Sequence, residues 1–353
     1  MTTGRAVSWR RYSPASLWRR RLSRWRTRRL LEAHLLILFL CAAVAATALF
    51  FSYRQTQRGA VALASREAPA VQGLAGSRLA ALRSYQEAEA LLRYGLVDVA
   101  GSGEAYRSQL SAADQGLSRI ADRTDQDLGT VNGLLATYGN SLNLGTSMYR
   151  DQRLMRELKF QEAKSLLVRD KVGLAPRLKS LQRTQMTQAR HTAAVGAWQR
   201  AGWWLAELAL AALASTLLSA LFVLRDRCGR DWDPYLLAAL ALTVALAVVP
   251  LMATSTTEHD LDGALKDLGQ ITEVSGQITD VPRITEVPRK SDSELIDAQQ
   301  SVTRTSERVR QQLTDDTWTD RVYRGTFVGG LLIVVLPALG LGLRLDGDYW
   351  RRR

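Results

Sequence analysis

Cysteine is almost missing from this sequence: Cys41 and Cys228 are the only two in 353 residues. One lies in an apolar run and the other in a short arginine-rich link, so no disulfide can staple the polar stretches, which must be held by packing. Histidine is nearly as scarce. His34, His191 and His259 have no second histidine or cysteine at ligand spacing, and Asp260 and Asp262 beside His259 read as a solvated helix start, not a metal site. No phosphate-binding loop, nucleophile elbow, or kinase or cyclase motif set is present. The expectation is a chain that is no enzyme and holds no cofactor or metal. Acids are missing from the first 31 residues, where ten arginines stand before Glu32. Eight prolines in the whole chain leave long stretches free to be helical.

Four apolar runs organise what is there: residues 33–53, 203–224, 235–254 and 325–343. Each is near the ~20 residues that a bilayer-crossing helix needs. The arginines are sorted around them. Residues 1–32 form an Arg/Trp-rich tail, Arg225, Arg227 and Arg230 fill the link at 225–234, and Arg344, Arg351, Arg352 and Arg353 follow the last run in the tail at 344–353. These three pieces hold 17 arginines and nearly all of the net charge of +13. Positive charge marks the cytoplasmic side. The predicted layout is a multi-pass protein of the bacterial cytoplasmic membrane with both termini inside. Its polar segments at 54–202 and 255–324 then lie outside.

So placed, the charge is a topology signal and an attraction for membrane lipids, not a sign of nucleic acid. An uncleaved anchor is the expected reading of the first run, since its basic region is long and its apolar part spans a bilayer. The cytoplasmic pieces are too short to bury an enzyme core. No charge sits in the middle of a run, which argues against a carrier. Arg outnumbers Lys 41 to 6, a composition of GC-rich bacterial genomes.

The predicted fold class is an all-α membrane protein with four transmembrane helices and an extracytoplasmic helical bundle of four helices plus a hairpin. In 54–202, Leu110, Ala113, Leu117, Ile120, Thr124, Asp127, Val131, Leu134 and Tyr138 recur at steps of three and four, a heptad-like seam on one long helix. Further seams are Leu74, Leu82, Tyr85, Leu92, Leu96 and Val99; Met155, Leu158, Leu166 and Leu167; and Leu174, Leu178 and Leu181, the last turning polar at Gln182, Gln185 and Gln188. Turns are predicted at 101–103, 138–145 and 170–176, with a kink or break at 69–76. In 255–324, Leu261, Leu265, Leu268, Ile271 and Ile278 continue the third run as helix, and Leu295, Val302, Val309 and Leu313 lead into the fourth. Between them Val-Pro-Arg occurs twice, at 281–283 and 287–289, and predicts an extended path over 280–290.

Helix lengths put 101–103, 171–173 and the Val-Pro-Arg loop at the membrane-distal end, and the turn near 140–145 at the membrane. Gly101, Ser102, Gly103, Lys171, Arg283, Arg289 and Lys290 are therefore the candidate partner-binding tip; guanidinium groups there suit a carboxylate or acidic surface. Tyr138, Asn140 and Asn143 read as turn chemistry ahead of a ligand pocket. Inside, Arg19, Arg20, Arg21, Trp25, Arg225, Arg227, Arg230 and Arg351 are the candidate contacts to lipid or to a cytoplasmic partner.

Residues 54–204 so arranged resemble the four-helix-bundle sensor domains of chemoreceptors and histidine kinases, without the usual output module after Leu224. The whole layout resembles a family of actinobacterial four-span sensors with two helical outer segments and short basic ends. The match is one of topology and size, and no site residue transfers. It implies that an extracytoplasmic, glutamine-type solute-binding lipoprotein is coupled to a cytoplasmic Ser/Thr kinase or regulator. The expected function is a non-enzymatic transmembrane sensor or signal relay; a structural scaffold of the envelope or division machinery and a transporter accessory subunit are the alternatives. A homo-oligomer is compatible with either.

Overall fold

The computed structural model describes residues 27–95, 101, 103–194, 196–228, 234–278, 288–314 and 317–345. Among them there is helix and no strand. The helices are α1 (Thr27–Ala62), α2 (Ala68–Arg93), α3 (Glu104–Ile120), α4 (Gly129–Asn143), α5 (Arg153–Val168), α6 (Leu174–Ala193), α7 (Ala197–Cys228), α8 (Pro234–Gln277), α9 (Pro288–Thr314) and α10 (Thr317–Leu345). They divide into two compact units. The first comprises Met1–Arg54, Gly196–Ala253 and Thr319–Arg353; the second comprises Gln55–Val195 and Thr254–Trp318.

The first unit is apolar inside and out. Its core takes Leu38, Ala42, Ala45 and Leu49 from α1, and Ala206, Leu210, Leu213, Leu217 and Leu221 from α7. Leu236, Ala239 and Leu246 of α8 and Ile333 of α10 join them. Steps of three and four put each set on one helix face. Yet Phe39, Leu40, Phe51, Leu208 and Leu331 are more than half exposed, a pattern that hydrocarbon tolerates and water does not. Three helices are long and apolar enough to cross a membrane, those containing Glu32–Arg93, Arg200–Val223 and Pro234–Gln277; the apolar stretch Arg324–Leu339 of α10 is shorter. Small residues allow close approach, as in membrane bundles. A Cβ on Gly202 would meet Ser52 Oγ at 2.5 Å, and one on Gly329 would meet Leu246 at 3.2 Å.

In the second unit α2 is the central element. Ala68, Ala70, Val71, Leu74, Ala75, Leu79, Ala81, Leu82, Tyr85 and Ala88 are all buried. A helix this rich in alanine is narrow, so neighbours can surround it, and α3, α5, α6 and α9 all contact it. Gly73 and Gly116 mark the tightest seam: a Cβ on Gly73 would lie 2.4 Å from Ile120 Cγ2, and one on Gly116 would lie 2.3 Å from Ser77 Oγ. Burying each leucine side chain fully stabilises the fold by ~1.5–3 kcal/mol.

Five local expectations are corrected. The irregularity predicted at 69–76 falls earlier, as a π turn over Leu63–Glu67, and α2 runs unbroken through Gly73 and Gly76. Pro69 has no N–H and its ring crowds the carbonyl four residues back; the wide turn, in which Ala68 N–H donates to Leu63 O, makes room for it. The long seam does not pass Thr124, which is extended at φ −121°, ψ 142°. Thr124 Oγ1 accepts the Gln126 N–H at 3.2 Å and Asp127 Oδ1 accepts the Gly129 N–H at 2.8 Å, so the two polar residues in the seam build the turn. The turn predicted at 138–145 is helix, α4 followed by a π turn at Leu144–Met148. Its glycines are packing gaps: a Cβ on Gly139 would meet Leu110 and one on Gly145 would meet the Phe160 ring. Of the seam predicted on α5, Met155 and Leu158 face outward while Leu167 is buried as expected, and the residues buried with it are Phe160 and Ala163. The extended path predicted to reach residue 290 ends sooner, because Pro288 serves as the first residue of α9.

Candidate functional site

Side-chain contacts fix the helix register of the second unit. Ser77 Oγ donates to Ala113 O at 3.0 Å while Gly73 faces Ile120, so α2 and α3 are antiparallel. Leu110 covers Gly139 and the Tyr106 hydroxyl meets Thr146 Oγ1 at 2.8 Å, so α3 and α4 are antiparallel too. Lys179 Nζ donates to Gly276 O at 2.8 Å and Met186 lies over Gly269, setting α6 against α8. Asp267 pairs with Arg308 at 3.7 Å, setting α8 against α9.

By this register the α2–α3 link and the start of α9 share one end, which includes Gly101 and Gly103. The end of α8 and the first turns of α6 meet α2 near Arg78, and α2 runs ~22 Å farther, so Lys171 in the link before α6 is not brought to that end. Gly101 has φ +85° and its carbonyl accepts the Glu104 N–H at 3.1 Å, which starts α3. Lys171 is exposed with φ 63°, in a link closed by the Gly173 N–H on Arg169 O at 2.7 Å. Gly173 is required there, because a Cβ would strike the backbone of Arg169 and Leu167 at 2.7–2.9 Å. Arg289 and Lys290 fall in the first turn of α9. Ser102 and Arg283 lie outside the described residues, as do Arg19, Arg20, Arg21, Trp25, Arg230 and Arg351. Arg225 and Arg227 belong to the last turns of α7, where Arg225 is exposed. The link at 140–145 expected on the opposite end does not exist. The α4–α5 connection, residues 149–152, lies beyond Thr146 at the Tyr106 end, and the link at 121–128 occupies the other.

Sequence reasoning missed a groove between α2 and α9. It is lined by Arg83, Ile296, Gln299, Gln300, Thr303 and Arg304 and encloses about 270 Å³. Arg83 donates to Gln299 Oε1 at 2.7 Å and Gln299 Nε2 donates to Gln109 Oε1 at 3.2 Å, which ties α2, α9 and α3 together. Glu87 is 3.4 Å from Arg83. Two guanidinium groups, two amides and a hydroxyl lining the groove offer donors suited to a carboxylate. The half-hidden signal was Gln299 and Gln300 beside the α9 seam.

Two buried polar groupings support the helices below. At the π turn, Glu67 is buried and accepts a hydrogen bond from Gln185 Nε2. Gln185 Oε1 in turn accepts from Thr124 Oγ1 at 3.1 Å and from Gln126 Nε2 at 3.4 Å. Burial pushes the Glu67 carboxyl above its usual range, against the smaller opposing effects of the Gln185 hydrogen bond and Arg66. Arg66 pairs with Asp125 at the exposed edge. Farther along α2, Arg78 is 1% exposed. It donates through Nη1 to Ser275 O and through Nη2 to Ile278 O at 2.7 Å, capping the last carbonyls of α8. Burial, with Arg183 nearby, pulls its guanidinium down to about 10. Gln182 and Ser275 complete the layer by exchanging hydrogen bonds at 3.0 and 3.1 Å. The polar run Gln182, Gln185 that seemed to end a seam is thus part of the interior.

No family model, curated protein or solved structure matches this chain. A functional reading therefore has only the sequence and this geometry to draw on. Among the described residues no group of three His, Cys, Asp or Glu side chains is placed to hold a metal ion.

Proposed function

We propose that the protein is a non-enzymatic transmembrane sensor or signal relay of the bacterial cytoplasmic membrane. In this reading the second unit is extracytoplasmic, α10 is a fourth span, and the arginine-rich tails and link are inside. The carrying observation is helix continuity. α1 holds both the apolar run and the polar residues up to Ala62, and α8 passes unbroken from the run at 235–254 to Gln277. A displacement of either outer part therefore has a continuous helix to travel along; shifts of ~1–2 Å between packed helices are sufficient currency for such signals. Arg78 on the end of α8 and the Arg83–Gln299 bond on α9 give α2 a grip on both helices of the hairpin.

The input is an acidic group, of a small ligand or of a loaded solute-binding protein, received at the shared end and in the α2–α9 groove. The output is an altered presentation of the tails and of Arg225 to a kinase or regulator. In-cell crosslinking followed by purification and mass spectrometry tests this. Recovery of an extracellular solute-binding protein together with a cytoplasmic kinase or regulator is expected. Recovery of wall-synthesis or division proteins alone would replace the relay with a scaffold.

A further inference from the structure

The turn that joins α1 to α2 carries a buried acid. Leu63–Glu67 is a π turn, wider than α geometry, and Glu67 at its end is 4% exposed. Glu67 accepts a hydrogen bond from the Gln185 amide of α6. The same amide accepts, through Oε1, from Thr124 at 3.1 Å and from Gln126 Nε2 at 3.4 Å. Gln126 Oε1 is itself buried and has no donor. Glu67 and Gln126 thus meet on one amide group, in a network with an acceptor to spare. A proton on Glu67 adds the missing donor, whereas a carboxylate adds only acceptors.

The charges nearby divide. Arg66, on the same turn, favours the ionised acid, and Asp125 of the 121–128 link opposes it. Arg66 points to the exposed edge, where it pairs with Asp125 and donates through Nε to Arg123 O at 3.3 Å. α2, α6 and α9 also pack on the turn. Among the described residues the buried faces of α6 and α9 hold no ionisable side chain, and Arg78 of α2 stands ~16 Å farther along its helix. Burial accordingly outweighs Arg66 and holds the carboxyl above its usual range.

We propose that Glu67 is a proton-controlled latch of this turn. Protonated, it stays on Gln185 and ties the π turn to α6. Ionised, it withdraws toward Arg66 and water, and the joint between α1 and α2 loosens. In the relay proposed above, the proton then sets how firmly the bundle is coupled to α1; the inference rests on that reading for this consequence alone.

Hydrogen exchange of the full chain in nanodiscs tests the latch without any partner. Protection factors, freed of the intrinsic pH dependence of exchange, are followed for amides of residues 62–71. The closed turn holds the proton and the loosened turn releases it. Protection in the parent should therefore fall by up to tenfold per pH unit above 4.5 and level off once the folded acid has ionised. Glu67→Gln keeps a donor for Gln126 Oε1 and should hold high protection throughout. Gln126→Met removes the spare acceptor and should move the levelling point down by ~0.5–1 pH unit. Amides of α4 report global unfolding and verify that each variant is folded. Flat protection in the parent, the same fall in Glu67→Gln, or an equal fall at α4 would overturn the proposal, as would an unmoved levelling point in Gln126→Met. Flat protection leaves the relay standing, and a failed partner capture leaves the latch standing.

Discussion

Replacing Arg78 with methionine tests how the hairpin is held to the central helix. The side chain is 1% exposed and makes two hydrogen bonds to carbonyls at the end of α8. Hydrogen bonds to a charged donor contribute ~1.5–3 kcal/mol each, so the pair is worth roughly 3–6 kcal/mol. Methionine fills much of the same volume and removes the cost of burying a charge, but it leaves the two carbonyls without that donor. The net loss should be about 2–4 kcal/mol. Arg78→Lys should fall between the two, since an ammonium lacks the planar fork that reaches both oxygens. Denaturant unfolding of the detergent-solubilised chain measures the total. Hydrogen exchange localises it, with amides of residues 268–278 exchanging faster while those of α4 do not change. An Arg78→Met protein within ~0.5 kcal/mol of its parent would refute the reasoning, because a cap on this helix end would then carry no net stability.

Glu67→Gln should stabilise the fold at pH 7. Burial raises the folded carboxyl above its usual 4.5, so the folded chain binds more protons than the unfolded one just above that pH. Stability contributed by protonation is full below 4.5 and is lost as pH rises through the folded value; the variant's unfolding midpoint should lack that decline. Gly73→Ala should cost ~1–3 kcal/mol by forcing a methyl against Ile120, read as a lower melting temperature. Gly173→Ala should open the link before α6, where the obstructing atoms are backbone, and limited proteolysis should cut there first. Arg83→Glu with Arg304→Glu should reduce recovery of the crosslinked extracellular partner, and so should Arg283→Glu with Arg289→Glu if the Val-Pro-Arg loop shares that contact. Unchanged recovery in both would remove the docking end.

Helix content and three of the four apolar spans were legible because period and run length report them directly. Ala113, Leu117, Ile120 and Val131 are buried as their spacing predicted. What failed was punctuation. Gly139 and Gly145 looked like turn residues, but glycine also opens space for Leu110 and Phe160, and sequence does not tell the two uses apart. Thr124 and Asp127 looked like flaws in a seam, though their side chains close a turn by hydrogen bonds that a hydrophobic pattern cannot register. Phe160 was overlooked because a leucine pattern at Met155 and Leu158 fitted the period equally well, and only tertiary packing on Tyr85 decides the face. The groove was invisible for a further reason: Arg83 and Arg304 are 221 positions apart and meet only through the pairing of α2 with α9.

Sidedness is the claim on which the relay depends most. A chain with Cys41→Ala and Cys228→Ser would receive single cysteines at exposed Ser108 or Thr303, or in the tails at Thr2 or Asp348, and intact cells would be treated with a membrane-impermeant maleimide. Ser108→Cys and Thr303→Cys are predicted to label in intact cells, and Thr2→Cys and Asp348→Cys only after permeabilisation. Labelling of Ser108→Cys and Thr303→Cys from opposite sides, or of either tail from outside, would contradict the account.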